Sequence, residues 1–215
     1  MRRWLTTITA AAAIAAGVHG EIIDRIAVTV GDHVISEQEI IHENQVAAFL
    51  NREKPDLSAK ARRDAAGRLV KQQLIRQEMD ETHYPMPAKS EADPLEKQVV
   101  AEYGGEAPYS AALASSGLTR DDVLDQLWWQ LTILRFIDYR FRPAVHVPGE
   151  AVQAYYDQQV KTWKNEGRTD IPTLEESRDS IEKIITEERV DRALDTWLAD
   201  ETQRRNVRYR EDAFQ

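Results

Sequence analysis

The segment "RDDVLDQLWWQLTILRFIDYRFR", Arg120 to Arg142, constrains this chain most. Its apolar residues recur at helical spacing and cover more than half of the helix circumference. Leu124, Leu127, Trp128, Leu131, Leu134 and Phe141 line one face, and Trp129, Ile133, Phe136 and Ile137 widen it. A helix apolar on so many sides is central in a bundle or carries a binding surface. Thr119 is placed to cap it, Asp121 and Asp122 suit the positive end of its dipole, and Pro143 stops it.

Further helices follow from the same period. Ser36-Glu37-Gln38-Glu39 is a capping box, and the helix behind it runs to about Leu50 with Ile40, Ile41 and Val46 to bury. Ser58 caps a helix to about Thr82, whose face carries Ala66, Val70, Leu74, Ile75 and Met79. Asp93-Pro94 reads as an N-cap and first-turn proline, opening a helix to Tyr103. A short helix spans about Ala107 to Ser115 and ends at Gly117. "EAVQAYYDQQVKTW" is the next helix. Thr173 to Glu176 is a second capping box, opening a helix to about Arg205 with Ile181, Ile184, Ile185, Leu194, Trp197 and Leu198 as core candidates.

The one β signal near the start lies just before the first capping box. Ile22, Asp24, Ile26, Val28 and Val30 alternate with Ile23, Arg25, Ala27 and Thr29, the period of a strand. Gly31-Asp32 suits a two-residue type II′ turn, and His33-Val34-Ile35 is the return strand. "NVRYR" near the C-terminus reads as a last short strand whose cheapest partner is this hairpin. The expected architecture is mainly α: a helical bundle with a small antiparallel sheet formed by the N-terminal hairpin and a short C-terminal strand.

Residues 1–20 have the features of a signal peptide, not of the fold. Arg2 and Arg3 precede the apolar stretch "WLTTITAAAAIAAGV", which is short for a membrane span, and Val18 and Gly20 suit cleavage between Gly20 and Glu21. An uncleaved N-terminal anchor is the alternative. Cleavage removes two of the 28 Lys and Arg residues and leaves 26 against 37 Asp and Glu, a net charge of −11. A periplasmic location and no stable membrane span after cleavage follow as expectations. So acidic a chain repels phosphate backbones, and its richest basic run, "RRNVRYR", is short and flanked by Glu211 and Asp212, so nucleic acid is not an expected partner. The chain has no cysteine, so disulfides, thiol catalysis and cysteine metal sites are impossible, and stability must come from the core.

Catalytic motifs are not found. His33, His42, His83 and His146 have no zinc-type spacing. There is no Gly-x-Ser-x-Gly elbow or phosphate loop, and "EYGGEAPYS" reads as a helix stop. A carboxylate pair that meets only in space is left open by sequence. The expectation is a protein that is not an enzyme, with no metal and no cofactor. The aromatic residues carry the binding expectation: Trp128, Trp129 and Phe136 on the apolar helix, and Tyr155 and Tyr156 on the next. Adjacent tryptophans on a helix point about 100° apart, so Trp128 and Trp129 cannot share one seam.

Taken in order, these pieces resemble a family. "IDRIAVTVGDHVISEQEI" is similar to the N-terminal "DRIVAVVNDEVIT-x-x-E" signature of the SurA-like chaperone and parvulin-type peptidyl-prolyl isomerase family. "LVKQQLIRQEM", "LASSGLTRDDVLDQLWWQLTILRFIDYRF", "VHVPGEAVQAYYDQQ" and the closing "IEKIITEERVDRALDTWLADETQRRNVRY" resemble its later segments in the same order. The order carries the resemblance, since no one motif is stringent. Gly31 stands where the family often has Asn, which keeps a turn-former. The larger departure is between the "YY" helix and the closing helix. There a parvulin domain of roughly 100 residues sits in active isomerases, and this chain has only the loop from about Lys164 to Pro172.

The resemblance therefore implies residues 21–215 as a chaperone body without the isomerase. It would bind unfolded or extended polypeptide clients of the envelope or outer membrane without ATP. Trp128, Trp129, Phe136, Tyr155 and Tyr156 are the expected groove. A dedicated envelope scaffold with a single partner and a residual isomerase are the alternatives.

Overall fold

Local capping chemistry sets where the helices begin. The computed structural model describes residues 24–215, so the signal-peptide reading of 1–20 lies outside the described residues. The Ser36 hydroxyl accepts from the Glu39 amide at 3.2 Å while the Glu39 carboxylate accepts from the Ser36 amide at 2.8 Å. Helix α1, Glu37–Leu50, starts there. Ser58 caps α2, Ala59–Glu81, and Thr119 and Thr173 cap α5, Arg120–Phe141, and α7, Leu174–Arg204. Between them lie α3, Asp93–Glu102, α4, Glu106–Ser116, and α6, Gly149–Asn165. Asp93 lies one position inside α3 instead of capping it. A 3-10 turn, Lys89–Ala92, runs into the helix and leaves Ala92 at the boundary. Gly117 closes α4 in the left-handed region, at φ 67°.

Two of these caps hold their carboxylates below the usual range. At Asp122, burial pushes upward, but hydrogen bonds from the Thr119 hydroxyl and amide and the charge of His42 outweigh it. At Glu176 the Thr173 amide and hydroxyl lower it directly. A carboxyl with a depressed folded pKa contributes stability above its unfolded value, and that contribution is lost as pH falls through the folded one. Amide exchange at the first turns of α5 and α7 should therefore accelerate as pH drops below the ordinary carboxylate range. Exchange there that followed only the intrinsic pH dependence would contradict this.

Strands β1, Ile26–Val30, and β2, His33–Ser36, form the expected hairpin, with the positive φ of 63° carried by Gly31. The alternation is not the one that period two alone predicts. Pairing passes from Ile26↔Ser36 to Val28↔Ile35, so Ala27 is an extra residue, a β-bulge. The bulge turns Ile26 outward, 36% exposed, and lets neighbouring Ala27 and Val28 both be buried. The freed Ala27 carbonyl accepts from the Arg210 amide at 2.9 Å. Strand β3, Arg208–Tyr209, pairs antiparallel with β1 through Val28↔Tyr209 and Thr29↔Arg208, giving the order β2-β1-β3. The Gly31 amide also donates to the Arg205 carbonyl at 2.8 Å, so the hairpin turn is tied to the end of α7. Both ends of the described chain meet in this sheet.

Three apolar clusters follow. The largest joins the sheet to α2, to Trp129 and Phe136 of α5, to Leu198 of α7 and to Phe214. The second gathers Val46 and Phe49 of α1, Tyr109 and Leu113 of α4, and Val123 and Leu127 of α5. The third is Val152 of α6 with Ile181 and Ile185 of α7. Helix α5 is thus the spine of two cores, as its wide apolar surface requires. Leu134 is the exception at 65% exposed. It lies on the stripe of Leu127 and Phe141, seven residues from each. The second cluster covers Leu127, and Trp197 of α7 covers Phe141 at a ring separation of 5.9 Å. Leu134 falls in the gap between those two covers.

A charged cluster ties α3, α4 and α5. Arg120 donates to Glu96 at 2.6 Å and to Glu106 at 2.8 Å, and the fully buried Tyr109 hydroxyl donates to Glu96 at 3.3 Å. Burial first, and the Glu96 carboxylate second, push the Tyr109 hydroxyl up to about 12. This is a structural clamp: every group in it is satisfied by another.

Candidate functional site

The five expected aromatics occupy two separate parts of the fold. Phe136 has no exposed surface and packs edge-on against Tyr84 at 5.2 Å, inside the largest cluster. It is a core residue and lines no groove, because the sheet, α2 and Leu198 of α7 close over that side of α5. Trp129 is 4% exposed, donates from Nε1 to the Gln72 side chain at 3.1 Å and lies under the Arg76 guanidinium at 4.2 Å. Trp128 is half-buried between the first two clusters, and its Nε1 donates to the Pro87 carbonyl at 2.9 Å. The two indoles go to different surroundings, as their angular separation demands. Tyr155 and Tyr156 sit half-buried against the third cluster, and the Tyr156 hydroxyl donates to the Pro172 carbonyl at 2.8 Å.

Tyr155 does open onto a cleft. Together with Trp163 of α6, Pro172 of the connecting loop and Ile181 and Ile184 of α7, it lines an apolar hollow of about 310 Å³. Ile184 is 41% exposed there, although its place in the α7 pattern reads as core. The cleft exists because α6 is shorter than α7 and because Gly167 and the residues up to Thr173 bring the chain straight back. Trp163 was not among the expected site residues. The legible signal was the spacing Tyr155, Gln159, Trp163, four and four, which puts all three on one helix face.

A second, polar groove runs between α1, α2 and α5. Three adjoining clefts of about 490, 290 and 300 Å³ share lining residues, Glu43, Gln72 and Gln126 between the first two and Glu39, Leu69, Gln72 and Arg76 between the last two. Trp129 lines the middle cleft. The walls carry the carboxamides Asn44, Asn51, Gln72, Gln73, Gln126 and Gln130. At one end Arg68 donates to Glu43 at 3.2 Å and to the Asn44 oxygen at 3.0 Å, both acceptors being buried. His42 reaches Asp122 across the middle, at 3.3 Å. Sequence reading passed over Glu43 and Asn44. Yet they fall three and four residues after the core Ile40, polar groups at apolar positions, and that mismatch was visible.

No family model matches the chain, and no curated protein or solved structure matches it significantly. What it is similar to therefore rests on the ordered motifs alone. Among the described residues, no three His, Asp or Glu side chains converge as a metal site would require, and no helix is long and apolar enough to cross a membrane.

Proposed function

We propose that this protein is an exported, ATP-independent chaperone-like protein that binds extended or unfolded segments of envelope polypeptides. In this reading it is a SurA-like body that lacks the isomerase domain. The observation that carries the reading is the apolar cleft of Tyr155, Trp163, Ile181 and Ile184 between α6 and α7. A hollow of about 310 Å³ takes one or two apolar side chains of a passing chain, not a folded partner. Its ring and branched walls hold such side chains by dispersion and by removing water from them, with little dependence on their shape. Many weak contacts of that kind suit clients that must be released without an energy source. The connection between α6 and α7 supports the absence of isomerase chemistry, since only residues 166–173 lie between the two helices.

The purified chain without residues 1–20 should suppress aggregation of a denatured outer-membrane protein at stoichiometric ratios, followed by light scattering. No suppression would sink the proposal. Ile184→Asp places a charge on the cleft wall at a 41% exposed position, so it leaves the fold intact. It should cut client affinity by about tenfold. Unchanged suppression by this variant would remove the α6–α7 cleft from the function.

A further inference from the structure

We propose that the polar groove between α1, α2 and α5 is a second polypeptide subsite, which grips the main chain of an extended segment bearing basic side chains. The inference rests on the chaperone reading but concerns a different surface. Its starting point is Asn44, which lines the groove, is 8% exposed, and has its side-chain Nδ2 buried without any hydrogen-bond partner. A buried unpaired donor is costly, and one beside an open groove is poised for an acceptor that arrives from outside.

Asn44 does not stand alone. Its oxygen is pinned by Arg68 at 3.0 Å, which fixes the amide so that only the donor end is free. Gln72 repeats the arrangement: its oxygen accepts from Trp129 Nε1 at 3.1 Å, and no hydrogen bond among the described residues engages its Nε2. Both carboxamides are thus held as oriented donors. Gln126 and Gln130 of α5 and Gln73 of α2 add further amide groups along the same walls.

The chemistry of the acceptor follows from the charge of the groove. Six carboxylates and three Lys or Arg side chains line it, with His33 and His42 in addition. An anionic acceptor, a phosphate or a free carboxylate, is repelled. A main-chain carbonyl is neutral, strong and repeated along an extended chain, and cationic side chains beside it find the surplus carboxylates. Carboxamides present both a donor and an acceptor, so they match main-chain groups whatever the client sequence. From Glu39 to Asn51 the α1 wall is about 18 Å long at 1.5 Å per residue. At about 3.3 Å per residue, that admits roughly five or six residues of extended client.

The test uses fluorescence polarisation on the chain without residues 1–20. The probe is a fluorescein-labelled peptide of alternating Lys and Thr, about ten residues long so that it exceeds the expected footprint. It should bind saturably, and the matching Glu–Thr peptide at least about tenfold more weakly. Asn44→Asp and Gln72→Glu keep the pinned oxygens and delete the donors while adding negative charge. Each should weaken the Lys–Thr peptide by about three- to tenfold. If charge alone governed the groove, both variants would bind the basic peptide equally well or more tightly, and that result overturns the proposal. So does the absence of saturable binding to the unaltered chain. Should Asn44→Asp lose the native circular dichroism, Gln126→Glu on the open α5 wall reads the same question without touching a buried group. Aggregation suppression that survives these variants but is lost in Ile184→Asp would dismiss the groove and leave the chaperone reading standing.

Discussion

Phe136→Ala is expected to destabilise this protein by about 3–5 kcal/mol, with no direct effect on client binding. Phe136 is fully enclosed in the cluster that joins the sheet, α2, α5 and α7, with Tyr84 set edge-on against it at 5.2 Å. Truncation removes the ring from that packing and leaves a cavity that the surrounding sheet and helices relax into only partly. The denaturation midpoint in urea should fall with little change in slope, since the surface exposed on unfolding is nearly the same. The folded variant should still suppress aggregation under conditions where it is fully native. A variant of unchanged stability that had lost client binding would return Phe136 to the site and contradict its place in the core.

Ending the chain at Arg205 should have an effect of similar size and a different character. The truncation removes β3, whose Tyr209 and Arg208 pair with Val28 and Thr29, and with it the Arg210 amide that satisfies the Ala27 carbonyl of the bulge. It also removes Ala213 and Phe214, 2% and 7% exposed in the main cluster. Arg62 loses the carbonyls of Ala213 and Gln215, at 3.2 and 3.1 Å, and Arg63 loses the Tyr209 ring that it covers at 4.0 Å. Losing Phe214 alone is expected to cost about 3 kcal/mol or more. The truncation further leaves β1 as an open edge with unpaired main-chain groups, a template for association. We expect a lowered unfolding midpoint together with concentration-dependent light scattering. Full stability and a monodisperse truncated chain would show that the C-terminal strand does not close the fold.

These two outcomes bear on different parts of the same plan. The sheet is tied at one side by the bulge and at the other by the Gly31 amide on Arg205, so α7 is anchored at its C-terminal end. The N-terminal half of α7 extends to α6, where the apolar cleft lies. A client held there and one held in the α1–α2–α5 groove would touch different residues, since the two sites share no lining side chain. A long extended segment touching both would gain from the second contact without new affinity at either.

Much of this was legible in the residues alone, wherever the cause is local. The capping boxes at Ser36 and Thr173 depend on groups three residues apart, and both form; Thr119, expected only as a cap, also closes a box with Asp122. The α2 face of Ala66, Val70, Leu74, Ile75 and Met79 is buried as its period demands. The pairing of the last strand with the hairpin could be inferred because a lone strand needs a partner and the hairpin was the one available. What sequence did not reveal was coverage. Leu134 shares a stripe with Leu127 and Phe141, and nothing in its pattern says that two neighbouring elements stop short on either side of it. Trp129 and Phe136 could line a groove or fill a core with the same spacing, and the placement of α2 and the sheet decided between them.

The residues by themselves determined a mainly helical chain, the starts of the helices capped by Ser36, Ser58, Thr119 and Thr173, the hairpin before α1 and the short return from α6 to α7, because period, capping and turn chemistry act over a few residues. The tertiary structure alone decided the bulge at Ala27, the exposure of Leu134 and Ile184 and the alignment of carboxamides from three helices in one groove. Those depend on which elements come to lie side by side, and a side chain is buried or left open by neighbours that its own stretch of sequence does not contain.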